Sequence, residues 1–250
     1  MNLNRIWRLI ATGLGFAIFG LFGVLFKIVL LPYTLKSSQG DLERQKKARR
    51  LVGKSWYWFT RYLEKSGILE AEFQGFERLG QPGQLILANH PSLLDVVFLL
   101  SRVPDANCIV KAGLQTNPAM SSQIRACGYI PNSEDLEFVE KIHDTLRHEC
   151  LLVFPEGTRT GWDGEVKFHR GAVSMGLRSA RIITPVSIHM QPPNFKKGQP
   201  WYKIPAQKVR YRFIVGEDIR PADWLAEKPL PIAARRLNDH LQQYFNENTR

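Results

Sequence analysis

Two short clusters in this 250-residue chain hold residues able to do chemistry. The first is Asn89-His90-Pro91-Ser92-Leu93-Leu94-Asp95. A carboxylate beside one imidazole nitrogen fixes the tautomer and leaves the other nitrogen free to take a proton from an alcohol. His90 and Asp95 are therefore candidate catalytic residues, although the spacing taken alone favours a capping histidine. The second cluster is Pro155-Glu156-Gly157-Thr158-Arg159-Thr160. It offers a carboxylate, a glycine that permits close backbone approach and a guanidinium. Such a loop suits a polyhydroxyl or phosphate-bearing ligand; the plainer alternative is a turn with a local Glu156–Arg159 ion pair.

Other constellations carry less. His143, His148 and Cys150 resemble a metal cluster on paper, but residues five apart on one helix point in different directions, and no metal is expected. Ser174 sits in GAVSMG, which misses the GxSxG spacing of a nucleophile elbow. Cys108, Cys127 and Cys150 are an odd number without CxxC spacing, so neither a disulfide framework nor a zinc ribbon is indicated. They fit small core residues in a reducing compartment.

The elements that must position the two clusters follow from hydrophobic patterning. Residues 85–88, 108–110, 151–154, 182–188 and 209–215 read as strands. Residues 91–100, 118–126, 134–149 and 170–180 read as helices, and a closing helix is expected over 232–245. Both clusters then follow strand ends, where ligands gather in α/β sheets. Pro91 suits a first helical position, which makes His90 the cap and puts Asp95 just over one turn inside the helix. The pair meets only because His90 lies outside the helical register. Alternating elements predict an α/β fold with a mixed, largely parallel sheet flanked by helices. The alternation VRYRFIV at 209–215 suits a strand near the sheet edge, with one wetter face.

The first 66 residues have a different character. Residues 9–31 form a 23-residue apolar run with one charge, Lys27, long enough to cross about 30 Å of hydrocarbon as a helix. No signal-peptide cleavage pattern follows it, so it is expected to be retained as an N-terminal membrane-anchoring segment. More basic residues follow the run than precede it, which puts the body on the cytoplasmic side of the cell inner membrane. Residues 41–65 mix basic side chains with Trp56, Tyr57, Trp58, Phe59 and Tyr62, the pattern of a helix in the headgroup layer. A charged helix packing its aromatics on the core is the alternative. The formal charge of +11 calls for an acidic partner. Beside such an apolar run, anionic membrane lipid is a nearer partner than nucleic acid. The expected division is an anchor with interfacial helices at 1–66 and a catalytic domain at 67–250.

NHPSLLD resembles the NHxxxxD motif of the glycerolipid acyltransferases, and FPEGTR resembles that family's second signature without substitution. Phe168-His169-Arg170-Gly171 is similar to its Phe-Lys-x-Gly segment, and 183–188 (ITPVSI) to its VPVxI strand. Lys111, Leu114 and Pro118 match a K-x-x-L-x-x-x-P stretch; the likeness covers about residues 85–188. The resemblance implies transfer of a fatty acyl group from a thioester to a lipid hydroxyl without an acyl-enzyme and without a cofactor. His90 would be the base and Asp95 its orienting partner. Glu156, Gly157 and Arg159 would hold the acceptor, Thr158 would shape the loop, and Pro185 the acyl-facing wall. Acyl carrier protein or coenzyme A would carry the acyl group, and a lysolipid would accept it.

One departure stands out. Glu134 occupies the place of the family's phosphate-binding arginine. The charge must then come from Lys111, Arg125 or Arg159, or the acceptor carries no simple glycerol phosphate. Lyso-aminolipids and aryl polyene lipids fit the remaining motifs alongside lysophospholipids. A lipid or thioester hydrolase would use the same His-Asp pair with water.

Overall fold

The computed structural model of the protein describes residues 3–35, 42–118, 120–133 and 135–249. Strand β2 (Gln84–Ala88) shows why the sheet is central: all five residues are buried. Leu85 and Leu87 face one apolar cluster while Ile86 and Ala88 face another, the two-residue period of a strand covered on both sides. Around it lie β1 (Leu69–Gln74), β3 (Asn107–Val110), β4 (Ile130–Pro131), β5 (Leu151–Val153), β6 (Ile182–Gln191) and β7 (Val209–Val215). They form one sheet in the order β1-β7-β6-β2-β5-β3-β4. Every neighbouring pair is parallel except β6 and β7. The expected mixed, largely parallel sheet flanked by helices is the fold observed.

Helices α1 (Leu3–Leu35), α2 (Leu42–Lys65), α3 (Asp95–Arg102) and α4 (Ser121–Cys127) build the core on one face. Helices α5 (Leu136–His148), α6 (Arg170–Ser179), α7 (Pro221–Glu227) and α8 (Leu230–Asn248) build that on the other. Strand β7 runs second from the edge with alternating burial, as its sequence suggested. The outer strand β1 and the two-residue β4 were not anticipated. Leu69, Ala71 and Phe73 alternate with Glu70, Glu72 and Gln74, a period-two strand pattern legible in the sequence, whereas β4 is too short to show a period.

Several boundaries differ for identifiable reasons. The helix expected from Pro91 starts at Asp95, so His90 is not its cap and Asp95 is not a turn inside it. Ser92 holds residues 91–94 in a turn: Leu94 N–H donates to its hydroxyl, and its own N–H and O–H donate to Asp95. Helix α5 begins two residues later than expected because Asp135 caps it, accepting from Phe138 N–H at 2.7 Å. Helix α4 is shorter at its start and ends at Gly128, whose φ of 63° suits only glycine comfortably.

Helix α2 does not lay its aromatics in one outward stripe. Trp56, Phe59 and Leu63 are buried in the core, whereas Trp58 is exposed. Its Arg49 is fully buried, pairs with Glu149 and donates to Cys127 O at 2.7 Å, tying α2 to the ends of α4 and α5. Helix α1 is long and apolar enough to cross a membrane, yet it is docked along the body. Arg5 and Arg8 donate to the carbonyls of Ile204, Ala206 and Gln207, and Tyr62 donates to Ala11 O. Its opposite side leaves Ile10, Leu14, Leu21, Val24 and Ile28 exposed.

Candidate active site

Strand β2 ends at Ala88, and the next two side chains leave the sheet in different ways. The buried Asn89 amide makes a two-way pair with Ile188 on β6, donating to its carbonyl at 2.8 Å and accepting from its N–H at 2.7 Å. That side chain continues the strand pairing one residue past the strand end, which holds the following residue at the sheet's carboxyl edge. His90 emerges there, partly exposed, with its ring stacked on Phe154 at 4.3 Å between centroids.

Asp95 is completely buried and its two oxygens are crowded with donors. Oδ2 accepts from His90 Nδ1–H at 2.8 Å and from Ser92 N–H at 2.7 Å, and Oδ1 accepts from Ser92 Oγ–H at 2.7 Å. The Ser92 hydroxyl accepts in turn from the buried Tyr211 hydroxyl on β7 at 3.0 Å. Burial raises the Tyr211 phenol far above its ordinary value, so it stays a donor. Three donated hydrogen bonds offset the cost of burying this carboxylate, and as an acceptor it holds the Nδ1–H tautomer of His90. The other ring nitrogen, Nε2, is thereby left as an acceptor, and the pair can draw a proton from a hydroxyl.

The second cluster lies against the first. Glu156 Oε1 accepts from His90 N–H at 2.7 Å and from Thr160 Oγ–H at 2.9 Å, while Thr160 N–H donates to His90 O at 2.7 Å. The Glu156 carboxylate is thus buried beneath the His90 backbone. Burial pushes its pKa up, against the pull of the bonds from His90 and Thr160. Gly157 turns the chain with φ of 64°. Thr158 is exposed, and Arg159 is half-buried with one Nη1–H on Phe195 O at 2.8 Å. Glu156 and Arg159 are not paired with each other among the ion pairs of the described residues, because each has a stronger local partner.

Lys111 and Arg125 are both exposed, the first at the end of β3 and the second on α4. Glu134 lies outside the described residues. Pro185 is buried within β6 opposite Leu87. Three further groups were not singled out by sequence. Ser92 and Tyr211 brace Asp95, as given above. Lys196, almost wholly buried, donates from Nζ to Gly161 O at 2.6 Å beside the Trp162 ring, and burial lowers its pKa. Ser92 falls inside the first motif, so its spacing to Asp95 was readable; Tyr211 and Lys196 reach the site from distant segments and left no local signal. The three cysteines are buried, and burial pushes each thiol up to about 12. Among the described residues no group of three metal-ligating side chains comes together.

Residues 70–189 match the protein-family model described as Acyltransferase, a span that contains both clusters. A Saccharomyces cerevisiae protein described as 1-acyl-sn-glycerol-3-phosphate acyltransferase is 28% identical over 132 residues, covering 48% of this chain. The match spans 43% of that relative's own length. Among solved structures, the 1-acyl-sn-glycerophosphate acyltransferase of Thermotoga maritima has a similar fold, with a TM-score of 0.65. That likeness covers 97% of this chain and 98% of the other at 19% identity.

Proposed function

We propose that the chain is an acyltransferase of the glycerolipid type, which moves a fatty acyl group from a thioester to the hydroxyl of a lysophospholipid-type acceptor; the Acyltransferase family match over residues 70–189 and the likeness to 1-acyl-sn-glycerol-3-phosphate acyltransferases support this reading. The observation that carries this reading is the His90–Asp95 pair, 2.8 Å apart, with a partly exposed ring on a buried, triply bonded carboxylate. His90 Nε2 takes the proton of the acceptor hydroxyl while its oxygen attacks the thioester carbonyl carbon. The tetrahedral intermediate collapses with formation of the ester and cleavage of the carbon–sulfur bond. The departing thiolate takes the proton back from His90, so the enzyme ends as it began. Asp95 stabilises the imidazolium that exists between the two proton transfers.

The buried, protonated cysteines and the fully engaged Ser92 hydroxyl argue for direct transfer rather than an acyl-enzyme. Arg159 and the Gly157 turn form the acceptor side of the site, with Glu156 fixing the His90 backbone. Lys111 and Arg125, both exposed, are the proposed contacts for anionic parts of the substrates. Acyl carrier protein or coenzyme A is the proposed donor carrier. The acceptor is proposed as lysophosphatidate or a related lysolipid, including lyso-aminolipids. The exposed apolar side of α1 supports membrane attachment through residues 1–66, with the catalytic part at the cytoplasmic side of the inner membrane.

The test uses purified full-length protein, an acyl thioester and a lysophospholipid. One acylated lipid should form per thiol released. Thioester cleavage at the same rate without any acceptor would instead make the protein a hydrolase.

A further inference from the structure

A groove of about 1080 Å³ lies well away from His90, between the start of α1, the end of α2 and the segment leading into β7. Its lip is apolar: Leu3, Ile6 and Trp7 are all exposed, on the same helix that leaves Ile10, Leu14, Leu21, Val24 and Ile28 exposed farther along. Three cations also line it, the nearly buried Arg8 and the exposed Lys65 and Lys208. Strand β7 is antiparallel to β6, which is parallel to β2, so the groove opens on the same sheet edge as His90. It is displaced toward β1 by two to three strand spacings, roughly 10–14 Å.

Arg8 is the unusual member. It is 4% exposed, and its two terminal nitrogens donate to Gln207 O and Ala206 O, both at 2.7 Å. Its Nε is buried without an acceptor. These partners are neutral carbonyls, and no carboxylate pairs with Arg8 among the described residues. The nearest acidic side chain along β1, Glu70, is already shared by Lys208 at 3.3 Å and Arg210 at 2.5 Å. A nearly buried guanidinium compensated only by carbonyl dipoles is costly, and an external anion offsets that cost.

We propose that this groove is a docking site for the headgroup of an anionic phospholipid, distinct from the catalytic centre. The phosphate would sit against Arg8 and Lys65 while the acyl chains leave along Leu3, Ile6 and Trp7 toward the bilayer. The apolar lip is what selects a lipid over an acidic protein surface, which needs exposed cations and no hydrocarbon path. The proposal uses no step of the acyl-transfer reading and stands or falls without it.

The test is calorimetric titration of the full-length protein with soluble short-chain phosphatidylglycerol, phosphatidylcholine of the same chain length, and glycerol 3-phosphate. Saturable one-to-one binding of phosphatidylglycerol is expected, with the other two ligands markedly weaker. Lys65 is exposed at the end of α2, so Lys65→Glu should leave the fold intact and weaken binding about fivefold or more. Arg178→Glu, the same charge reversal on exposed α6 across the sheet, should leave it unchanged. Arg159→Gln should also leave it unchanged. Three results would each overturn the proposal. They are equal binding of phosphatidylcholine or glycerol 3-phosphate, equal loss from Arg178→Glu, and loss caused by Arg159→Gln while Lys65→Glu binds normally.

Discussion

Asp95→Asn separates the charge of the catalytic pair from its geometry. In many His-carboxylate pairs the amide presents its NH₂ to the imidazole and forces the wrong tautomer, which costs about 10⁴ in rate. Here the surroundings of Asp95 forbid that. Oδ2 receives both His90 Nδ1–H and Ser92 N–H, and a backbone N–H cannot turn away. An amide nitrogen placed there would face two donors, so the asparagine must put its oxygen at Oδ2 and its nitrogen at Oδ1. Ser92 Oγ then accepts from the amide, and the Tyr211 hydroxyl can reverse to accept from Ser92. The Nδ1–H tautomer survives, and only the charge is lost. A hydrogen bond to a charged group is worth about 1.5–3 kcal/mol, so kcat should fall roughly 10- to 150-fold. The assay is acylated-lipid formation by purified protein at saturating thioester and acceptor, beside a melting curve. A loss of about 10⁴ in a folded variant would mean that Ser92 N–H does not dictate the amide orientation. An unchanged kcat would mean that Asp95 does not stabilise a charged His90.

Glu156→Gln and Glu156→Ala should part ways. Ionising a carboxyl whose folded pKa is raised costs stability, so the group's contribution is present below its unfolded value of about 4.3 and lost as pH rises through the folded value. Glu156→Gln keeps an acceptor for His90 N–H and should gain on wild type in melts as pH rises from about 4; a constant difference across pH would refute this. Glu156→Ala orphans that N–H and should cost about 1–3 kcal/mol at neutral pH. Arg49→Ala should cost about 3–5 kcal/mol by stranding buried Glu149, whereas Arg49→Met with Glu149→Met should restore most of it in chemical denaturation. On a panel of acceptors, lysophosphatidate should not be preferred over lyso-aminolipids by wild type, and Glu134→Arg should shift the panel toward it; a wild-type preference for lysophosphatidate that Glu134→Arg leaves unchanged would make Glu134 irrelevant to the acceptor.

The parts of this fold that depend on local pattern could be read directly, and the parts that depend on distant contacts could not. The buried runs around 85–88 and 151–154 announce strands because both faces are apolar, and the two motifs follow from their ends. The turn at 91–94 is set by Ser92 bonding to Asp95, a competition that hydrophobic periodicity does not register, so the helix was expected too early. The inward packing of Trp56 and Phe59 depends on elements distant in sequence, Phe59 meeting Phe19 of α1, and a helix rich in both aromatics and arginines carries the same signature at a bilayer surface. Sequence marks Glu156 as a residue for the acceptor but could not show that its Oε1 also accepts from His90 N–H. Tyr211 lies 119 residues from Ser92 and meets it only through the order of the sheet.

His90→Ala tests most directly whether His90 Nε2 is the proton acceptor. His90 is partly exposed at a strand end, and its backbone bonds to Glu156 and Thr160 do not need the imidazole, so the variant should fold. Product lipid and free thiol would be followed together in purified wild type and His90→Ala, with matched melting curves and membrane association. With His90 as the base, transfer falls by about 10² to 10⁴ while the fold is unchanged. Near-normal turnover in folded His90→Ala protein would contradict that role.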